Sequence, residues 1–174
     1  MSTFNEAVWL AGIRPTERVI DLGCGDAADL VLAKTLVDRN LFTLAVDDTA
    51  QDWPTRLVAR QVPAFHFIRA NIRALPLASE SFDVALIGWV MAKRGHWLEI
   101  FREVHRILRA EGRLLLTTPI VPAGRHLHRR PPPKLHRVAD FLEMLEMDGF
   151  MAKVHQDSEE AHDRVVILAR KRAV

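Results

Sequence analysis

Two glycines one residue apart, Gly23 and Gly25, follow the run Val19-Ile20-Asp21-Leu22 and lead into Asp26-Ala27-Ala28-Asp29-Leu30. An apolar run with an aspartate that ends on such a pair is the pattern of a buried parallel strand closing in a tight turn and opening a helix. Glycine permits positive φ at the turn and lets the main chain approach a ligand closely, because no Cβ intervenes. The helix behind the turn aims its unpaired N–H groups at whatever is bound. The chemistry expected of this stretch is the binding of a nucleotide-like cofactor.

Other reactive residue types are less persuasive. Cys24 sits between the two glycines, where a small residue is all the turn asks for, so a structural role is preferred to a nucleophilic one. His96 is the nearest candidate for a general base, which a reaction needs only if its nucleophile starts protonated; a histidine there more simply opens the next helix. His126, His128 and His136 lack both the Cys or acidic partners and the i, i+4 spacing of a zinc site, so no metal is expected. Around them Arg125, Arg129, Arg130, Lys134 and Arg137 flank Pro131-Pro132-Pro133, which stiffens the stretch in an extended form. Either this is an ordinary solvated loop, or it covers the acceptor site and selects an anionic substrate or partner. No aromatic residue is interleaved with the charges, which argues against nucleic acid as the partner.

Strands and helices must carry these residues. Helical spacing of apolar residues over 3–13 suggests a short cover, ended by Arg14-Pro15. Strands are expected at 18–23, 41–46, 64–70, 82–89 and 113–119, with helices at 27–39, 51–61 and 96–110. The helix at 96–110 is the clearest: Trp97, Ile100, Phe101, Val104, Ile107 and Leu108 share one face, and Glu111-Gly112 reads as its stop. After the basic, proline-rich 120–137 come a helix to Met147 and two strands, 151–155 and 164–169, joined without a helix and so expected to form a hairpin. Alternating strands and helices imply an α/β domain, a parallel sheet with helices on both faces.

Bulk properties agree with that class. With 174 residues, 49% of them hydrophobic and 26% charged, the chain suits one domain, 1–174, with a real core. A formal charge of +2 is too small to argue for a polyanionic partner. No apolar run approaches the roughly 20 residues of a membrane span. The N-terminus lacks the layout of a signal peptide, and the 1 cysteine excludes an internal disulfide, so a cytoplasmic setting is expected.

Four stretches in order carry a resemblance. They are Asp21-Leu22-Gly23-Cys24-Gly25, the acidic strand end at Asp47, Leu75-Pro76-Leu77 followed by Ser81-Phe82-Asp83-Val84, and Glu103 to Leu114. In these the chain resembles class I S-adenosylmethionine-dependent methyltransferases, and among them the small ubiquinone-biosynthesis-like group. The resemblance implies a Rossmann-like, doubly wound sheet of seven strands in the order 3-2-1-4-5-7-6, the seventh antiparallel. It implies S-adenosyl-L-methionine as cofactor. Asp21 with the main chain of Gly23, Cys24 and Gly25 would hold the methionine end, the carboxylate pairing with its ammonium. Asp47, with Asp48 beside it, would accept the ribose hydroxyls. Asn71 and Ile72 would meet the adenine, with Asn71 where the family often has aspartate. Gly88 and Trp89 would lie beneath the sulfonium. Ala27 stands where a third glycine is common, so its methyl group either crowds the cofactor or is absorbed by a small shift. Relatives often carry longer N-terminal helices, so the cleft is expected to be open on that side or covered by a second copy or a partner chain.

Two rival readings fit parts of the same sequence. Gly23-x-Gly25-x-x-Ala28 also fits a nicotinamide-dinucleotide fingerprint, but Asp21 would place a carboxylate where a pyrophosphate must lie. A methyltransferase fold that has lost turnover and serves as a binding or assembly module is the more serious alternative, motivated by Ala27, Asn71 and the short N-terminal cover.

Overall fold

A computed structural model describes residues 11–25, 27–48, 66–88, 96–119, 138–155 and 164–173. Its strands are β1 (Arg18–Leu22), β2 (Phe42–Asp47), β3 (His66–Arg69), β4 (Phe82–Ile87), β5 (Leu108–Pro119), β6 (Phe150–His155) and β7 (Arg164–Lys171). They form one sheet in the order β3-β2-β1-β4-β5-β7-β6. Neighbours from β3 through β5 are parallel, whereas β7 runs antiparallel to both β5 and β6. The expected terminal hairpin and strand order are therefore present.

Side chains alternate across the sheet, as strand geometry requires. Ile20, Leu22, Leu44, Val46, Ala85, Ile87, Leu114 and Leu116 face one way and join a core with α2 (Trp97–Ile107) and α3 (Val138–Met147). Val19, Ala45, Val84, Leu86 and Leu115 face the other way, toward α1 (Ala28–Leu36) and Ala11. Burial on both faces explains why the central strands read as nearly continuous apolar runs. The apolar face of α2 is as expected, with Trp97, Ile100, Phe101, Val104 and Ile107 buried. Trp97 meets Phe141 of α3 edge-on, with ring centroids 5.3 Å apart.

The far end of α2 departs from expectation. The helix stops at Ile107, not at residue 110, because Leu108 is already extended at φ −75°, ψ 138°. The carbonyls that a longer helix would have used are taken: Arg106 O by Glu80 N and Ile107 O by Ser81 N, at 2.9 and 2.8 Å. Buried Lys171, from β7, donates to His105 O and Leu108 O at 2.9 and 2.8 Å. Leu108 then pairs with Phe82, and the register jumps to Val84–Arg113 across a bulge. Glu111, at φ 62°, belongs to that bulge rather than to a helix stop. On the opposite face Lys34 does a similar job, donating to Arg39 O and Leu41 O at 3.2 and 2.6 Å, and α1 ends at Leu36 rather than at 39. The expected helix 51–61, the basic stretch 120–137 and nearly all of the cover 3–13 lie outside the described residues. No helix among the described residues is long and apolar enough to cross a membrane.

Candidate functional site

Strand order reverses between β1 and β4, and in open α/β sheets ligands bind in the crevice at the carboxyl ends of the strands flanking such a reversal. Asp21 lies level with Ala45 of β2 and Leu86 of β4, its side chain buried. Beyond Leu22 the chain bends at Gly23 (φ 73°) and Gly25 (φ 51°). The bend hangs on β2. Gly23 N and Cys24 N both donate to Val46 O, at 2.8 and 3.2 Å, and Gly25 N donates to Asp47 Oδ2 at 3.1 Å. The acidic residue at the end of β2 is thus physically joined to the glycine turn that precedes it by 22 positions.

Cys24 is buried in the apolar cluster beneath α1, as a structural residue would be. Ala27 caps α1 at φ 51°, ψ 28°, a left-handed conformation that costs a non-glycine residue about 1–2 kcal/mol. It has no exposed surface and packs in the same cluster as Cys24. Its methyl group is therefore packed in the core. The cost of the missing third glycine falls on the backbone.

Asp48 follows Asp47, and its carbonyl accepts from Arg69 Nε at 3.1 Å. Asn71 Oδ1 accepts from Arg73 N at 3.0 Å, closing a tight turn, and is exposed. Ile72 is buried in the α2-side core, so it has only main chain to offer a ligand. Gly88 lies just past β4, and a Cβ built on it would fall 2.9 Å from Asp29 Oδ2. Asp29, in the first turn of α1, was not singled out by the sequence; no motif marks a residue that arrives at another strand's end by folding. Trp89 lies outside the described residues, as do His126, His128, His136 and all five cations of the basic stretch. His96 opens α2 and pairs with Glu99 Oε1 at 3.2 Å, in keeping with the helix-start reading. Among the described residues no cluster of His, Cys, Asp and Glu could hold a metal.

Glu103 and Arg106 play a part that spacing alone did not reveal. Arg106 donates to both Glu103 oxygens, at 3.0 and 2.8 Å, and also to Leu77 O and Leu75 O, at 2.7 and 3.1 Å. Glu103 in turn accepts from Leu75 N at 2.9 Å. Two of the four motif stretches thus fasten to each other, and they hold the segment between β3 and β4 against α2. The Arg106 guanidinium keeps the Glu103 carboxyl below its ordinary pKa and is itself raised by that hydrogen bond.

Asp21, Asp29, Asp47 and Asp48 lie on segments that meet at the carboxyl edge around the main-chain bend. Asp21 sets a carboxylate next to the glycine turn, where a dinucleotide's pyrophosphate would have to lie, which argues against that reading. The methyltransferase domain family matches residues 20–116, more than half of the chain. Malonyl-[acyl-carrier protein] O-methyltransferase of Enterobacter lignolyticus is 32% identical over 101 residues, covering 58% of this chain and 38% of that protein. The biotin biosynthesis bifunctional protein BioHC of Saccharophagus degradans is 31% identical over 111 residues, 59% of this chain and 18% of that one. The chain thus matches well under half the length of these relatives. YcgJ of Bacillus subtilis has a TM-score of 0.80 at 17% identity, over 98% of each chain. A SAM-dependent methyltransferase of Aquifex aeolicus has a TM-score of 0.80 at 14% identity, over 97% of this chain and 89% of that one. Motifs, strand order and family match together make this chain a member of the methyltransferase domain family, with the class I fold, for which S-adenosyl-L-methionine is the implied cofactor.

Proposed function

We propose that the chain catalyses S-adenosyl-L-methionine-dependent methylation of a small-molecule acceptor. The observation that carries this reading is the glycine bend tied to Asp47 beside buried Asp21, at the point where the strand order reverses. When bound, the cofactor would supply a methyl group on a positively charged sulfur. Asp21 and the main chain of Gly23, Cys24 and Gly25 would hold the ammonium and carboxylate of its amino-acid end. Asp47, with Asp48 beside it, would hold the ribose, Asn71 and the main chain of Ile72 the adenine, and Gly88 and Trp89 the floor beneath the sulfur. The chain's task is then to align the acceptor and exclude water, since positioning alone can supply much of the rate gain in such a displacement.

The acceptor is proposed to be anionic. Support comes from the basic residues Arg125, Arg129, Arg130, Lys134 and Arg137, on the connection that leaves the carboxyl end of β5. One relative is named malonyl-[acyl-carrier protein] O-methyltransferase, and a malonyl group carries a free carboxylate, there on a carrier protein. Assignment to the ubiquinone-biosynthesis-like group, a single domain over 1–174 and a second copy or partner over the N-terminal side belong to the same proposal.

Titration calorimetry tests the cofactor. Binding of S-adenosyl-L-methionine below millimolar concentration is expected, and no heat at millimolar ligand would favour the non-catalytic module instead. For the acceptor, replacing Arg129 and Arg130 by alanine should raise KM about tenfold for an anionic substrate, and an unchanged KM would reject the selecting role of that stretch.

A further inference from the structure

Asp29 is the residue of the crevice to which no role has been given. It reaches the site from α1, not from a strand end. Its carboxylate lies so close to Gly88 that a Cβ there would sit 2.9 Å from Oδ2 and 3.9 Å from Cγ. Gly88 is two positions beyond Leu86, the partner of Asp21, and Gly23 is two positions beyond Asp21. Gly88 and Gly23 thus follow paired positions of neighbouring strands, and the Asp29 carboxylate lies against Gly88. The carboxylate occupies the room that a side chain at position 88 would take, with Asp29 half-buried.

Resting on the proposed cofactor reading, we infer that Asp29 is a specificity residue that distinguishes the charged donor from its neutral product. Gly88 is the residue proposed to lie beneath the donor's sulfur, and Asp29 sets a carboxylate against it. That sulfur is positive before methyl transfer and neutral after it. A carboxylate set against Gly88 would attract the first and be indifferent to the second, and partial burial would keep the attraction from being fully screened. Asp21 and Asp47 contribute nothing to this distinction, because the ammonium and ribose they are proposed to hold are the same in donor and product. Asp29 thereby favours release of the spent cofactor. Glycine at 88 is what makes room for the arrangement.

Calorimetry with S-adenosyl-L-methionine and S-adenosyl-L-homocysteine on the full chain and on Asp29→Asn tests it. Asparagine keeps the shape and removes the charge. The substitution should weaken donor binding about tenfold and change product binding less than about twofold. In the unsubstituted chain, the donor should bind more tightly than the product, and the difference should shrink as salt is raised; this arm needs no variant to fold. Equal weakening of both ligands, no weakening of either, or an unsubstituted chain that prefers the product each overturns the inference. If the unsubstituted chain binds neither ligand, the cofactor reading itself falls and takes this inference with it, an outcome distinct from binding without discrimination.

Discussion

The two ends of this sheet are built to opposite plans. At the amino ends of the strands, arginines meet carboxylates and an aromatic ring. Asp83 accepts from Arg18 N at 2.8 Å and from Arg109 Nη1 at 3.1 Å, Arg113 pairs with Glu17, and the Arg18 guanidinium lies 4.1 Å over the Phe42 ring. At the carboxyl ends, Asp21, Asp29, Asp47 and Asp48 gather with Gly23, Gly25 and Gly88. There the backbone approaches what it binds without side chains in the way. One end fastens distant parts of the chain to each other; the other sets acidic side chains beside bare main chain where the strand order reverses. Main chain free of Cβ atoms at such a reversal suits a binding site more than a structural joint.

Substitutions at the two ends should therefore separate binding from stability. The largest effect is expected at Asp21. Asp21→Asn should weaken donor binding by about 100-fold, in line with removing a charged partner from a charge-assisted contact, while chemical denaturation shows a folded protein. Donor affinity left within twofold would erase the distinction between the ends.

Asp83→Ala is the converse experiment. It leaves Arg18 N without its acceptor at the start of β1 and should cost about 2 kcal/mol in a denaturation curve. Donor affinity, measured on the folded fraction, should stay within twofold. A fall in affinity matching that of Asp21→Asn would show that the two ends are not independent.

Acid should erode the scaffold. His105 is held below its ordinary value of 6.5, first by burial and then by nearby Lys171. Glu103 is held below its ordinary value of 4.5, first by the Arg106 hydrogen bond. In both cases the unfolded chain binds more protons than the folded one. Their contribution is therefore full above about pH 6.5 and declines on acidification, through His105 first and Glu103 below about pH 4.5. Denaturation midpoints at pH 8, 5.5 and 4 should fall in that order, and His105→Gln should flatten the step between the first two.

The smallest effect is expected at Ala27. Glycine there would relieve the left-handed backbone, but it would give up a buried methyl group and loosen the unfolded chain. These terms oppose one another at about 1 kcal/mol each, so Ala27→Gly should shift stability by less than about 1 kcal/mol and leave donor affinity unchanged. A marked gain in affinity would mean that the methyl group reaches the crevice after all.

Much of this was legible in the residues. The apolar strands, the amphipathic helix from Trp97, the glycine bend and the terminal hairpin are local patterns, set by side-chain period and backbone sterics. The strand order came from the family resemblance that the four motif stretches carry, and only its terminal hairpin was legible from the local pattern. The misjudged end of α2 shows where local pattern fails: Leu108 continues the apolar face, yet Lys171, 63 residues later, claims its carbonyl and the chain has already entered β5. Glu103 and Arg106 were legible as a motif but not as the clasp on Leu75 and Leu77.

The sequence by itself determined which segments are strands and helices, where the chain can bend sharply and which carboxylate stands at the foot of the bend, because each follows from neighbours in the chain. Only the tertiary structure decided that Gly25 would hold Asp47, that Ala27 would turn its methyl group inward and that Asp29 would come to rest against Gly88. Those are distances between residues on different elements, and they exist only once both faces of the sheet have been packed.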